Sequence, residues 1–254
     1  MTQLRHERPL NVFVTGANRG LGLAFAQEAL SRGAAKVYGG MRSTEGFDVP
    51  GIVPVRIDVT DPASVSAAAA RCCDTTLLVN NAGISRVVSG PLDGRMDELS
   101  REVFETNFYG MIRVTQAFAP ILARNGGGAI INVLSDVTWL ATPALAAYAA
   151  SKAAAWSFTN TLRVQLKNQG TQVIALHVGF VDTDLTKGID VPKTDPAEVV
   201  RETLDALSVG RHEVLADEGT RALKQGLSLT RAPYLDPQLQ KHWLNPVVPR
   251  ADSV

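Results

Sequence analysis

Three residues in the middle of the chain carry side chains that can act together on a proton. Tyr148 and Lys152 stand four positions apart, so on a helix they share one face with Cβ atoms about 5–6 Å apart. A nearby ammonium group favours the phenolate and lowers the phenol pKa from its ordinary value of about 10. We therefore expect Tyr148 to be a general acid toward an oxygen that gains negative charge, with Ser135 donating a hydrogen bond to that oxygen. The simpler alternatives are an exposed Tyr–Lys pair of little effect and a serine that caps a helix.

A second group of residues is suited to bind a diphosphate. The segment Thr15-Gly-Ala-Asn-Arg-Gly-Leu-Gly22 lies between an apolar run and the next helical run. Its glycines allow a tight turn and a close approach of the backbone to phosphate, and the helix N-terminus offers free N–H groups. Taken alone, the segment also fits an ordinary turn between a strand and a helix.

The elements that must position these residues follow from the alternation of apolar and helical runs. Strands are predicted near Asn11–Thr15, Ala35–Gly40, Val53–Asp58, Thr76–Asn80, Ala129–Ser135, Thr171–Val178 and His212–Ala216. Helices are predicted near Leu21–Ser31, Arg101–Arg124 and Ala147–Gln169, and another begins at Asp195-Pro-Ala-Glu198. This order predicts an α/β fold, a doubly wound parallel sheet of the Rossmann type. We expect a single domain over residues 1–254, with an irregular tail from about residue 229.

The landmarks occur in the order found in the short-chain dehydrogenase/reductase family. The spacing of the three glycines resembles the TGxxxGxG motif of that family. Asp58, Asn80-Asn-Ala-Gly83, Asn107, Ser135 and Tyr148-Ala-Ala-Ser-Lys152 then follow in chain order. The resemblance covers approximately residues 10–220. It implies a nicotinamide cofactor and hydride transfer to a carbonyl carbon, with Tyr148 protonating the oxygen.

The resemblance also implies roles for individual residues. Asn107, Ser135, Tyr148 and Lys152 form the expected catalytic set, in which Lys152 also holds the nicotinamide ribose. The asparagine in this position distorts its helix and positions water for a proton relay; a buried asparagine bonded to backbone is the alternative. The residues expected to contact the cofactor are Gly16, Asn18, Arg19, Gly20, Leu21, Gly22, Arg42, Asp58, Val59, Asn80, Ala82, Gly83, Tyr148, Lys152, Gly179, Val181 and Thr183.

Charge near the glycine turn predicts the form of the nicotinamide cofactor. NAD sites commonly place a carboxylate at the end of the second strand, where it binds the ribose hydroxyls. Here Lys36-Val-Tyr-Gly-Gly-Met41 ends without an acid, Arg42 follows, and Arg19 lies inside the glycine turn. Each charge-assisted bond to a 2′-phosphate contributes about 1.5–3 kcal/mol. We therefore predict that NADPH is preferred over NADH.

The segment after the sixth predicted strand departs from the family pattern. Relatives usually show Pro-Gly-x-Val-x-Thr, whereas this chain reads Val178-Gly-Phe-Val-Asp-Thr183. Valine frees φ and restores an N–H, so the turn is expected to be less rigid, while Thr183 keeps a hydroxyl for the carboxamide. The short stretch Asp184–Asp195 is a candidate lid.

Apolar residues near both loops predict the substrate. Trp139, Leu140, Phe180 and Leu185 are expected to form pocket walls for a small apolar ketone or aldehyde, although apolar residues there fit a plain core equally well. Partner expectations are a homodimer or homotetramer, formed through the two long helices.

Composition excludes several classes of function. Lys plus Arg and Asp plus Glu each number 25 in 254 residues, which disfavours a nucleic-acid partner. The first ten residues are polar, and no uncharged run reaches the ~18 residues of a membrane span. Cys72 and Cys73 are adjacent, and the histidines show no metal-ligand spacing. We expect a cytoplasmic protein without a metal site or membrane contact.

Two alternative functions remain open from the sequence. The first is an NAD(P)-dependent alcohol dehydrogenase that works mainly in the oxidative direction. The second is a non-catalytic NADP-binding sensor, which we would expect to have lost Tyr148 or Lys152, whereas this chain keeps both.

Overall fold

The centre of the fold is a parallel sheet of seven strands. The computed structural model describes residues 9–140 and 142–235. The strands are β1 (Asn11–Thr15), β2 (Lys36–Met41), β3 (Ile52–Arg56), β4 (Leu77–Asn80), β5 (Gly128–Val133), β6 (Thr171–His177) and β7 (Glu213–Leu215). They lie in the order β3-β2-β1-β4-β5-β6-β7, and every neighbouring pair is parallel. The predicted doubly wound α/β fold is confirmed.

Helices cover both faces of the sheet. They are α1 (Gly20–Ser31), α2 (Pro62–Arg71), α3 (Met96–Phe104), α4 (Gly110–Arg124), α5 (Ala146–Leu166), α6 (Pro196–Ser208) and α7 (Glu218–Gly226). Successive β1 residues point to opposite faces, as strand geometry requires. Val12 and Val14 pack with α1 and α6, while Phe13 packs with α2, α4 and α5. The predicted start of α6 is confirmed, because the Asp195 carboxylate accepts a bond from the Ala197 N–H at 3.0 Å.

The predicted continuous helix over 101–124 is wrong in its details. Helix starts earlier, at Met96, and is interrupted by one π-helical turn, Glu105–Tyr109, between α3 and α4. The buried Asn107 lies in the middle of this turn, so the helix does distort at the asparagine as the family resemblance implies. Such π turns insert a residue and widen the helix locally, often beside a functional site.

The order of the strands places a crevice at their carboxyl ends. Sheet order reverses between β1 and β4, so the loops that follow these neighbouring strands leave toward opposite faces. The loops after β1, β4, β5 and β6 all begin at this edge, and they carry most of the predicted site residues.

Some features predicted from the sequence fall at the ends of the chain. The prolines Pro237, Pro246 and Pro249 of the predicted irregular tail lie outside the described residues, as do residues 1–8.

Over residues 9–140 and 142–235, no helix combines the length and apolar character needed to cross a bilayer. The same residues contain no group of three or more His, Cys, Asp or Glu side chains placed to hold a metal ion.

Candidate active site

The glycine turn has the shape that a diphosphate requires. Gly16 and Gly20 adopt left-handed φ angles of 68° and 55°, which residues other than glycine rarely adopt. Gly22 has no room for a side chain, because a Cβ there would overlap the carbonyl group of Gly16 and approach Asn81 Nδ2 to 2.5 Å. Arg19 precedes α1 without a side-chain cap, so its side chain accepts no bond from the first helical N–H groups. The backbone itself forms the cradle.

Side chains from β1 and β4 hold this turn in place. Thr15 Oγ1 donates to the Val79 carbonyl at 3.2 Å and accepts bonds from the N–H groups of Asn81 and Ala82. Asn81 Nδ2 donates to the carbonyls of Thr15 at 2.9 Å and Gly16 at 3.3 Å. Both residues belong to motifs that the sequence analysis identified, but their role in supporting the turn was not predicted.

The two predicted phosphate-binding arginines have different environments. Arg42 follows β2 and is exposed, and no ion pair or hydrogen bond of its side chain is found among the described residues. Arg19 Nη1 lies 3.4 Å from Asp184 Oδ2, and their side chains are 69% and 58% exposed. An exposed pair of this kind is weak and yields readily to a phosphate. Asn18 is exposed beside Arg19, and Leu21 is half-buried in the first turn of α1.

Asp58 and its neighbour lie at the adenine end predicted for the cofactor. The Asp58 carboxylate accepts bonds from the hydroxyl and N–H of Thr60, at 2.7 and 2.9 Å, which lower its pKa; Arg42 lowers it further. Val59 is buried, and its side chain fills the space beside Gly110 at the start of α4.

Asn80 is turned into the interior rather than toward the crevice. Its Nδ2 donates to Thr115 Oγ1 at 3.1 Å and to Asn132 Oδ1 at 2.8 Å, and Asn132 in turn donates to Thr159. This buried network joins β4 and β5 to α4 and α5. Ala82 and Gly83 continue from β4 along the edge of the crevice.

Three members of the predicted catalytic set, Ser135, Tyr148 and Lys152, lie at the carboxyl end of β5 and in the first turns of α5. Lys152 is 4% exposed, and its Nζ donates to the Val133 carbonyl at 2.8 Å and lies 5.5 Å from the centre of the Tyr148 ring. Ser135 is buried beside Tyr148, and its hydroxyl donates to Asp136 Oδ1 at 2.9 Å. The helical spacing of Tyr148 and Lys152 therefore does bring phenol and ammonium together.

The prediction that Lys152 lowers the pKa of Tyr148 is wrong for this structure. Burial of the phenol group raises the pKa of Tyr148, the nearby Asp136 carboxylate raises it further, and the nearby Ser135 hydroxyl opposes the change only in part. Burial also lowers the pKa of Lys152 to about 8. Desolvation dominates because both polar groups lie away from bulk water and the ammonium bonds to a carbonyl. Tyr148 therefore keeps its proton at neutral pH, as a general acid must.

Asn107 is fully bonded by protein groups. Its Nδ2 donates to the Ile84 carbonyl at 2.9 Å and to Ser151 Oγ at 3.1 Å, and its Oδ1 accepts from the Ile84 N–H at 2.8 Å. The side chain thus fastens the loop after β4 to α5, next to Tyr148. This is the alternative that the sequence left open for it, and a proton relay through water stays a prediction.

The loop after β6 is anchored by an aspartate at the start of α7. The Gly179 N–H donates to Asp217 Oδ2 at 2.8 Å, and Asp217 also caps α7 through Thr220. Thr183 begins a short 3₁₀ turn over Asp184–Thr186 and packs beside Gly20 of the glycine turn. Val181 is buried and pairs with Thr194. The candidate lid is therefore tied to the crevice at both ends.

The four predicted pocket residues fall into two groups. Trp139 and Leu140 are buried and line an open groove of about 490 Å³ with Ala149, Ala153 and Tyr234, and Tyr148 is not part of that lining. Trp139 also stacks on His177, with ring centres 4.0 Å apart. Phe180 is half-buried and Leu185 is 59% exposed on the loop after β6.

The residues of the crevice fit a dinucleotide. Left-handed glycines, a position that no Cβ can occupy and uncapped N–H groups provide the diphosphate cradle. Arg42 is exposed at the end predicted for a 2′-phosphate, and Lys152 and Thr183 follow β5 and β6, at the end predicted for the nicotinamide. The candidate proton donor Tyr148 lies at the same edge of the sheet.

Comparison with known proteins agrees with a dinucleotide-binding crevice. The family model described as short chain dehydrogenase matches residues 10–193. A short chain dehydrogenase from Burkholderia cenocepacia J2315, solved in complex with NADP, is 38% identical, with a TM-score of 0.83 over 95% of this chain and 99% of that one. The 3-oxoacyl-acyl-carrier-protein reductase FabG of Escherichia coli (strain K12) is 33% identical over 69% of this chain and 75% of its own length.

A fungal relative, the short chain dehydrogenase pigC of Monascus ruber, is 32% identical over 70% of this chain. The matched segment spans 65% of the fungal protein's length. The family match includes the glycine turn, Tyr148 and Lys152, all of which the structure gathers at one edge of the sheet. On this combination of sequence and geometry, the chain belongs to the short-chain dehydrogenase/reductase family of oxidoreductases.

Proposed function

We propose that this protein reduces the carbonyl group of a small apolar ketone or aldehyde to an alcohol, with NADPH as the reductant. The observation that carries the proposal is Tyr148, held in its protonated form between Ser135 and Lys152. A general acid for a developing alkoxide needs a proton at working pH, and the buried phenol of Tyr148 keeps its proton there.

Each residue of the set has one task in this reaction. Tyr148 transfers its proton to the carbonyl oxygen, and the Ser135 hydroxyl stabilises the negative charge that develops there. Lys152, fixed on the Val133 carbonyl, holds the ribose hydroxyls near the phenol. Bound in the crevice, NADPH supplies the hydride for the carbonyl carbon.

Direction and cofactor preference follow from the same charges. Reduction starts from the protonated phenol, which is the form that burial of Tyr148 favours in the free protein, and this supports reduction as the proposed direction. NADPH is favoured over NADH because Arg42 is unpaired among the described residues and no acid ends β2. The NADP complex of the Burkholderia relative and the reductase activity in the FabG name support both choices.

Substrate size and assembly are also proposed from the surfaces near the crevice. Phe180 and Leu185 offer apolar area beside a short loop, which favours a small apolar substrate over a bulky one. We expect two copies to associate through α4 and α5. Light scattering that shows a monomer at micromolar concentration would contradict this assembly.

The reaction is tested by NADPH consumption against a panel of apolar ketones and aldehydes, with wild type and Tyr148→Phe. Removal of the general acid should lower kcat by about 10²–10⁴-fold while NADPH binding, followed by fluorescence, is unchanged. Tyr109→Phe is the matched control, since Tyr109 is 48% exposed on the π turn. Undiminished turnover by Tyr148→Phe would rule out the proposed chemistry.

A further inference from the structure

Asp136 has no role in the proposed reaction, yet it makes the closest polar contact of the catalytic serine. Ser135 Oγ donates to Asp136 Oδ1 at 2.9 Å, and the same oxygen accepts the Val137 N–H at 2.8 Å. A hydroxyl group carries one proton. While Ser135 gives that proton to the carboxylate, it cannot donate it to a substrate oxygen.

A second carboxylate faces Asp136 across the loop after β6. A Cβ at Gly179 would lie 3.3 Å from Asp136 Oδ2 and 3.5 Å from Asp217 Oδ2, so the two acids flank this glycine. Asp217 is fixed in place by the N–H of Gly179 and by Thr220. Like charges in a poorly solvated site favour protonation of one member of the pair. Asp136 has fewer donors, so it is the member that takes the proton.

Other groups around Asp136 are Tyr148 on α5 and His177 on β6. The Tyr148 pKa is raised, partly by Asp136 itself. His177 Nδ1 lies 3.2 Å from the Ser135 carbonyl oxygen, and burial lowers the pKa of its ring to about 3. Lys152, beyond Tyr148, has a pKa lowered to about 8. None of these groups changes charge between about pH 4 and pH 7.

We propose that Asp136 is a positioning residue that controls whether Ser135 donates its hydrogen bond to the substrate oxygen. Ionised Asp136 holds the serine proton in a charge-assisted bond, which is roughly twice as strong as a neutral one. When Asp136 takes a proton from solvent, that bond weakens and the serine hydroxyl turns to the carbonyl oxygen. The only covalent change is a new O–H bond on the Asp136 carboxylate, and its proton comes from solvent. The proposal rests on the proposed function for its effect on rate.

The direction of the pH effect follows from the environment of Asp136. Burial, opposed by the Ser135 bond and supported by Asp217, raises its pKa to about 6. Ser135 is therefore free for substrate below about pH 6 and held by the carboxylate above it. Carbonyl reduction should gain about tenfold in kcat/KM as pH falls from about 7 to about 5, which is less than the effect of deleting an oxyanion donor.

The first test needs no substrate. The ¹³C carboxyl signals of aspartate-labelled protein saturated with NADP are followed against pH, and Asp136→Asn identifies the signal of Asp136. Ser135→Ala should raise the pKa of Asp136, because the mutation removes a donor that favours the ionised form. An unchanged pKa in Ser135→Ala would mean that the serine does not donate to this carboxylate, which overturns the proposal whether or not the protein is a carbonyl reductase.

The second test is the pH profile of NADPH oxidation with saturating cofactor. Wild type should show an inflection near pH 6 in kcat/KM that both Asp136→Asn and Ser135→Ala lose, while Asp136→Asn keeps the higher, acid-side rate at pH 7. An inflection that survives in folded Asp136→Asn, such as one from the cofactor phosphate, overturns the proposal. Circular dichroism and NADPH fluorescence confirm that each variant folds, and Asp136→Ala serves if Asp136→Asn does not.

Discussion

The two ends of the crevice recognise their chemistry in different ways. At the predicted phosphate end, the groups offered to a ligand are bare backbone and an exposed cation, because Gly16, Gly20 and Arg42 face solvent at least in part. At the catalytic end, Ser135 and Lys152 are buried, and their side chains bond to Asp136 and to a backbone carbonyl. Water screens charges at the first end, whereas desolvation determines protonation at the second.

This difference explains why sequence reasoning succeeds at one end and fails at the other. An exposed arginine has the charge that its residue type dictates. A desolvated tyrosine has the pKa that its surroundings dictate, so the spacing of Tyr148 and Lys152 predicts their contact correctly and the direction of the pKa shift wrongly. Substitutions at the phosphate end should therefore change the affinity for NADPH, whereas substitutions at the catalytic end should change how activity and stability depend on pH.

The largest effect at the phosphate end should come from Gly22→Ala. Its Cβ would overlap the Gly16 carbonyl and press on Asn81, so the diphosphate turn must move. We expect NADPH affinity to fall by at least about 100-fold and the free energy of unfolding by about 1–3 kcal/mol, as in other overpacked sites. Isothermal titration and urea unfolding measure the two quantities.

Gly94→Ala is the matched control for this substitution. A methyl group at Gly94 would enter open space, and the residue has an ordinary φ. Its replacement should change neither NADPH affinity nor stability by a measurable amount. Equal behaviour of the two alanine variants would mean that close approach of backbone at Gly22 does not shape the cradle.

A smaller effect should distinguish the two arginines. Arg42→Ala should weaken NADPH binding by about 10–100-fold and leave NADH binding unchanged, because one charge-assisted bond to the 2′-phosphate is lost. Arg19→Ala should cost less, since Arg19 is 69% exposed and must leave Asp184 to reach phosphate. Binding constants at low and high salt measure both, because exposed charge contacts weaken as salt rises.

Arg124→Ala is the control for general charge effects. Arg124 is exposed at the end of α4, just before β5 begins, and so lies at the opposite edge of the sheet from the crevice. If Arg42→Ala lost affinity for NADPH and NADH to a similar extent, Arg42 would not recognise the 2′-phosphate.

The smallest effect concerns stability at the catalytic end. The folded-state pKa of His177 is about 3, below its ordinary value of 6.5, so the unfolded chain takes up a proton first as pH falls. This group makes the protein lose up to about 1.4 kcal/mol per pH unit below about pH 6.5. Asp136 has the opposite effect on stability between about pH 6 and pH 4. Its folded-state pKa of about 6 exceeds the ordinary aspartate value of 3.8, so the folded protein takes up this proton first and gains stability as pH falls.

Urea unfolding between pH 4 and pH 7 separates these two contributions. Asp136→Asn should make acid destabilisation steeper, and His177→Phe, which keeps an aromatic ring against Trp139, should make it shallower. His212→Gln, at an exposed position, should leave the slope unchanged. Identical slopes in all three variants would show that desolvation does not set the protonation of His177 and Asp136.

Much of the fold can be predicted from local patterns. The apolar runs place all seven strands within a few residues, because each strand is a short apolar run bounded by turns. They do not locate the break between α3 and α4, since helical periodicity continues through a π turn and only the buried contacts of Asn107 show it. Asp136 escapes prediction because a lone aspartate after a serine gives no sign of its desolvation.

The sequence by itself determined which chemical groups are available and in what order. The glycine spacing, the two arginines without an acid at the end of the second strand, and the helical interval between phenol and amine could all be read without coordinates, because each depends on residue type and local geometry. Only the tertiary structure decided protonation and pairing: that Asn80 faces the interior, that Ser135 donates to Asp136, and that Asp217 lies across Gly179. These depend on desolvation and on contacts between residues distant in the chain, which no local pattern encodes.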